Sequence, residues 1–404
     1  LMVSTASRVG TGNIVGVSSA ICIGGFGAVF WMWIIAIVGS ASAFVESTLA
    51  QIYKKKGEDG RCYGGPAYYI EAALHSRPLA IAFCIAMILT YAFGFNMLAS
   101  YNLQSTFSGF SFYNPSVSPW IIGGILAVVT GWCLLGGGSR IVKVTSTLVP
   151  VMGIAYIAVA LLVVILNIAN IPMVFATIFR EAFDFRAIFG AFAGSALMQG
   201  IRRGLYSNEA GIGSAPNAAA SAHVSHPVKQ GLVQMLSVFI DTLLLCTATA
   251  MMCMSSGIEP SAELQGAPWV QASLQASLGS FGPVFITVSM VLFAFTTLLG
   301  NCFYCDNLLT YIHKEQPGKR FMAGFRLVCA TVVFVGAGME MSMLWDISDV
   351  LMGVMALINI PVILVLSNTA MKAVKDYEKQ LKNGGNPVFR SANIGLKHAT
   401  DYWK

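Results

Sequence analysis

The chain has 404 residues, of which 56% are hydrophobic and 10% charged, with a mean hydropathy of +0.71 and a formal net charge of +6. Soluble domains carry about 25% charged residues, so the composition excludes a soluble globular domain and describes a polytopic membrane protein, with the lipid bilayer as its first partner. The positive charge does not imply nucleic acid: Lys54, Lys55, Lys56, Arg140, Lys143, Arg202, Arg203, Lys229, Lys314, Lys319, Arg320 and the tail lysines fall in alternate loops, which the positive-inside rule assigns to the cytoplasm.

Ten hydrophobic elements follow in order, at about 1–23, 26–52, 78–107, 118–137, 142–169, 186–205, 227–255, 279–312, 321–338 and 343–374. The connections after the even-numbered elements are basic. Elements one to five (1–170) and six to ten (185–375) form two repeats of similar length, and because five is odd, equivalent helices cross the membrane in opposite directions. Residues 376–404 are read as a cytoplasmic tail. The first element is too short to span from Leu1 to its glycines, so the first repeat is expected to be truncated or preceded by a further segment.

That first element contains Arg8-Val9-Gly10-Thr11-Gly12-Asn13-Ile14-Val15-Gly16. Each of its glycines costs roughly 1 kcal/mol against alanine in a helix. A helix break at membrane depth is tolerated only against protein or a water-filled cavity, so the stretch is read as a discontinuous helix reserved for a ligand. The N–H groups of Thr11 and Gly12 suit a carboxylate at the positive end of the following half-helix, Gly10 permits close approach, and Asn13 either contacts ligand or ties the broken backbone. Carbonyls freed at the break suit a hard cation or an ammonium group. The sixth element repeats the pattern at Gly190 to Ser195, with Gly200 and Gly204 beyond; the alternative reading of such small residues is close helix packing. Phe192, Gly194, Ser195 and Met198 are its candidate ligand-facing residues, and Gln199 either joins them or bonds a neighbouring helix.

Four further readings concern charged and sulfur-bearing residues. Asp241, mid-element, either carries protons or anchors a helix pair, the second reading being favoured. Arg8 either pairs with Glu46, Asp306 or a cytoplasmic acid or snorkels to water, and Glu209 is expected to fix a cytoplasmic loop. The cysteines show no disulfide framework or zinc spacing, and Cys302-x-x-Cys305 lacks a redox setting. No Gly-x-Gly-x-x-Gly follows a strand, and no paired acids, Ser/His arrangement or charged ring supports an intramembrane enzyme or a channel.

The run Gly24-Gly25-Phe26-Gly27-Ala28-Val29-Phe30-Trp31-Met32-Trp33-Ile34-Ile35-Ala36-Ile37-Val38-Gly39 closely resembles the alanine/glycine:cation symporter family. Gly10-Thr11-Gly12-Asn13, Gly64-Gly65-Pro66-x-Tyr68-Tyr69, Arg203-Gly204-Leu205-Tyr206-Ser207-Asn208-Glu209-Ala210-Gly211-x-Gly213-Ser214-Ala215-Pro216 and Phe239-Ile240-Asp241-Thr242 extend the resemblance. It implies an all-α, 5+5 inverted-repeat fold of the leucine-transporter type with broken first and sixth helices. It also implies sodium-coupled uptake of alanine or glycine across a bacterial inner membrane, with sodium as coupling ion and no organic cofactor. By that likeness, carbonyls of Ala6, Val9 and Phe293 with hydroxyls of Thr296 and Thr297 hold sodium, although either threonine can instead bond back to its own helix. Ala99 stands where many relatives have glutamine, a departure expected to enlarge the pocket. A proton-coupled carrier of a larger neutral amino acid such as glutamine is the alternative.

Overall fold

The computed structural model describes residues 8–57, 60–184, 190, 192–396, 400, 402 and 403. Ala6 therefore lies outside the described residues. The helices are α1 (Val15–Gly24), α2 (Gly27–Ile52), α3 (Pro66–Leu74), α4 (Arg77–Ser105), α5 (Ser118–Leu135), α6 (Gly137–Leu166), α7 (Ile171–Ala182), α8 (Ala196–Asn208), α9 (Ala215–Ala220), α10 (Pro227–Ser255), α11 (Ala267–Leu278), α12 (Phe281–His313), α13 (Lys319–Ala337) and α14 (Met341–Lys382). A two-stranded antiparallel hairpin, β1 (Lys55–Lys56) and β2 (Cys62–Tyr63), follows α2. Pro66, Pro78, Pro119, Pro172, Pro216, Pro227 and Pro268 stand in the first turns of their helices. Proline is favourable there, since that turn's N–H groups have no intrahelical acceptor to lose.

Among the described residues eight helices are long and apolar enough to cross a membrane: α2, α4, α5, α6, α10, α12, α13 and α14. The first and sixth predicted elements lie only partly within the described residues, as the short helices α1 and α8. Outward faces carry Ile125, Val128, Ile154 and Leu357, all more than half exposed, as lipid contact requires. Inside, α2 packs along α8 and α10, and α8 also along α1, while α13 packs along α4 and α5 and α12 joins α4 and α6. The interrupted segments thus lie between two helical groups, α1, α2, α8, α10 and α4, α5, α12, α13.

Two spans contain wide π turns, Leu89–Gly94 in α4 and Phe239–Cys246 in α10. Such insertions are rare and cluster at functional sites. Here they carry Tyr91 and Asp241, both fully buried, toward the interrupted segments.

Candidate functional site

Arg8 is helical and Val9 lies in a bend. Gly10 is extended, Thr11–Asn13 form one 3-10 turn, and α1 begins at Val15. The Asn13 side chain holds this break together. Its Oδ1 accepts from Gly10 N at 2.8 Å, and its Nδ2 donates to Asp241 Oδ1 at 2.7 Å and to Ser207 Oγ at 3.1 Å. The Asn13 carbonyl, one of those the break releases, accepts from Thr249 Oγ1 at 2.6 Å. Of the two sequence readings of Asn13, tying the backbone is the one the geometry displays.

At the sixth element Phe192–Gly194 form a 3-10 turn and Ser195 is extended before α8 begins, and the chain opens a second time beyond that helix. Helix α8 runs unbroken through Gly200 and Gly204 to Asn208, and the chain unwinds over Glu209 to Ser214 before α9. A Cβ on Gly200 would meet Ala28 O at 2.5 Å, and one on Gly204 would meet Ile35 at 2.4 Å. Those glycines let α8 seat on α2, the packing alternative. At this further opening Glu209, Gly211 and Gly213 all have positive φ, a conformation glycine adopts freely. Glu46 spans it: its carboxylate accepts from Gly211 N at 3.3 Å, Gly213 N at 3.2 Å and Asn359 Nδ2 at 2.9 Å.

Asp241 joins the two interruptions. Besides Asn13 it accepts from Ser207 Oγ at 2.8 Å and from Thr242 Oγ1 at 3.0 Å. The anchoring expected of it therefore links both broken segments to α10 rather than pairing two intact helices.

A narrow cavity remains between these parts, bordered by Arg8, Thr11, Gly12, Phe95, Tyr206, Glu209 and Thr297, with about 10 Å³ of free room, roughly the space of one water. A side chain at Gly12 would meet the Tyr206 ring at 3.0 Å, so glycine keeps the phenol close to the break. Thr297 Oγ1 has no hydrogen-bond partner among the described residues, and Val9 and Phe293 are buried nearby on the break and α12. Thr296 Oγ1 donates within its own helix, to Leu292 O at 3.0 Å and Phe293 O at 3.1 Å.

Other sequence candidates lie away from the cavity. Phe192 is 51% exposed, nothing stands within 4 Å of a Cβ on Gly194, and Ser195 caps α8 by accepting from Met198 N. The buried stem of Gln199 packs on Gly24. These residues start α8, and at 1.5 Å per residue they sit about 15–20 Å from its interrupted end. Ala99 is covered by Leu103, Leu126, Ala294, Leu298 and Val333, so its small size opens no pocket.

Three placements correct the reading of charged residues. Arg8 is 1% exposed and does not reach water; its Nη1 donates to Gln234 Oε1 at 2.9 Å and Gln234 O at 3.3 Å, and Nε and Nη2 have no partner among the described residues. Neither Glu46 nor Asp306 forms an ion pair with it among the described residues; Asp306 pairs with Arg326 at 2.9 Å. Glu209 turns its carboxylate into the cavity wall, accepting from Ser214 Oγ at 2.9 Å and Tyr304 OH at 3.4 Å.

Toward the start of α14 the cavity is roofed by Tyr206, edge-on to Phe95 at 4.8 Å and to Trp345 at 4.9 Å between centroids. Above them Arg203 lies 3.8 Å from the Trp345 ring and bonds Asp349 at 2.6 Å. Toward the basic end, Tyr304 of the cavity wall is followed in sequence by Cys305 and Asp306, and Phe303, Asp306 and Asn307 line a vestibule of about 860 Å³ with Asn217 and Arg326. Phe95 and Trp345 carry no sequence signal, since an aromatic in an apolar span reads as packing; Tyr206 and Glu209 are marked only by the motif that contains them.

Two interrupted segments clasped together around a narrow cavity define an inverted-repeat secondary transporter. The solved structure of MhsT in complex with L-phenylalanine shares this fold, with TM-score 0.60 at 14% identity over 88% of this chain and 86% of that one. The profile of the Sodium:alanine symporter family matches residues 1–391, and the chain belongs to that family. It is 46% identical to the amino-acid carrier protein AlsT of Bacillus subtilis, over 98% of this chain and 83% of that protein. It is 43% identical to the probable sodium/glutamine symporter GlnT of the same organism, over 99% of this chain and 82% of that protein.

Proposed function

We propose that the chain couples sodium entry to uptake of a small neutral amino acid, alanine or glycine, across a bacterial inner membrane, with its C-terminus in the cytoplasm. The observation that carries this is the meeting of both interrupted segments with Thr297 around one narrow cavity. Thr11 and Gly12 offer backbone N–H groups at the positive end of α1, and Arg8 adds a buried cation with spare donors. Together they suit a substrate carboxylate. Glu209 is the buried acid on the same cavity and suits the ammonium. Neutral oxygens at Val9, Phe293, Thr296 and Thr297 suit sodium, a hard cation.

Transport then requires the cavity to open alternately. The Tyr206–Phe95–Trp345 roof with the Arg203–Asp349 bridge closes one side, and the Asp306 vestibule leads to the other. Labelled alanine, glycine and glutamine uptake into proteoliposomes, with sodium or with choline in its place, tests the reading. Saturable uptake of the small solutes that vanishes in choline is expected; glutamine uptake driven equally by a proton gradient would replace it.

A further inference from the structure

The C-terminal end of α14 carries a feature that transport does not use. Exposed residues along α14 form one stripe at helical spacing: Val350, Val354, Leu357, Leu364 and Met371, between 42% and 78% exposed. The stripe then changes chemistry without changing face. Lys372, Lys375 and Lys379 continue it, all exposed. Beyond Lys382 the chain turns back along this end of the helix, where Val388 N donates to Gln380 Oε1 at 2.9 Å and Gln380 Nε2 to Val388 O at 3.0 Å. The returning segment is fixed further by Phe389 N to Ser225 O at 2.9 Å.

Between helix and tail lies a groove of about 940 Å³, walled by the three lysines and by Arg390, with Ile394 and Val388 among its apolar contacts. None of these four cations forms an ion pair among the described residues. The acid in the groove, Asp376, is already engaged: it faces His226 Nε2 at 3.3 Å and accepts from Gln380 Nε2 at 2.9 Å and Asn393 Nδ2 at 3.2 Å. Glu378, also exposed on this turn, is not part of the groove wall.

From this arrangement we propose that the groove binds the phosphate headgroup of an anionic phospholipid, whose acyl chains lie along the Leu357–Leu364–Met371 face. A basic cluster immediately beyond a span attracts acidic lipid. The unbroken passage from apolar to cationic side chains on one helix face selects a lipid, because a soluble anion would have no use for the apolar half. The occupied groove would tie the tail to α14 through Arg390.

The test compares wild type with Lys372→Gln/Lys375→Gln/Lys379→Gln in nanodiscs of phosphatidylcholine alone or with one-fifth phosphatidylglycerol, with Lys319→Gln as control. Native mass spectrometry and the melting midpoint are the readouts. Phosphatidylglycerol should remain bound to wild type and to the control and raise their midpoints, and the triple variant should retain at least tenfold less while keeping its midpoint in pure phosphatidylcholine. Inorganic phosphate at millimolar concentration should leave wild type unchanged. Equal lipid retention by the triple variant would overturn the proposal, as would an equal stabilisation by inorganic phosphate alone.

Discussion

At the scale of single residues, the site is an economy of neutral oxygens and two buried charges. Thr297 is the sharpest probe, because its hydroxyl has no partner among the described residues and borders the cavity. Thr297→Ala should raise the sodium concentration for half-maximal uptake roughly tenfold, the size of one lost polar contact of about 1.4 kcal/mol; an unchanged sodium dependence would remove this residue from the ion site. Asp241 makes a different prediction. Asp241→Ala leaves Asn13 and Ser207 short of an acceptor in a dry interior, a cost of about 1–3 kcal/mol, so the melting midpoint in detergent should drop along with uptake. Thr11, Gly12 and Thr297 were legible in the sequence because polar or flexible residues are conspicuous in apolar spans. Phe95 was not, since an aromatic ring serves core and binding site equally well.

At the scale of elements, the instructive case is α8. Ahead of it Phe192–Gly194 form a 3-10 turn and Ser195 is extended, the opening its glycines invited, whereas Gly200 and Gly204 are used up by contact with α2. The chain opens again where Glu46 can take the released N–H groups of Gly211 and Gly213. Sequence shows the glycines in both places but not the distant carboxylate that makes one of them habitable. Gly194→Ala should therefore leave uptake within twofold of wild type. Gly213→Ala should abolish it, because φ is +84° there and a Cβ would stand 2.7 Å from Phe83. Equal tolerance of both, measured as alanine uptake at matched expression, would return the functional break to the glycines of residues 190–195. The eight long spans were legible because hydrophobic length is written locally; the π turns that bring Tyr91 and Asp241 inward were not, for an inserted residue leaves no local mark.

At the scale of the whole molecule, the tail packs against the ends of several helices. Trp403 Nε1 donates to Gln51 O at 2.7 Å, Lys54 Nζ lies 4.1 Å from the Tyr402 ring and donates to Ala222 O at 3.0 Å, and His226 packs against Tyr377 and Phe389. Burial lowers the His226 pKa from its ordinary value, with Asp376 pulling the other way and Lys229 adding to the fall. A histidine whose folded pKa is depressed contributes no penalty above the unfolded value near 6.5, and stability is lost as pH falls below it, since the undocked chain binds the proton more readily. Protection of the 386–396 segment from proteolysis should accordingly decline between pH 7 and pH 5.5. His226→Gln should flatten that decline, and a profile identical to wild type would place the sensitivity elsewhere.

The shared carboxylate of Asp241 has a mechanical corollary. Because Asn13 and Ser207 hold opposite sides of one rigid group on α10, neither interrupted segment can tilt without dragging the other. Gate opening at either face must then be a rotation of the paired segments as one lever, and a covalent staple between them would leave turnover intact where a staple from either to α12 would stop it.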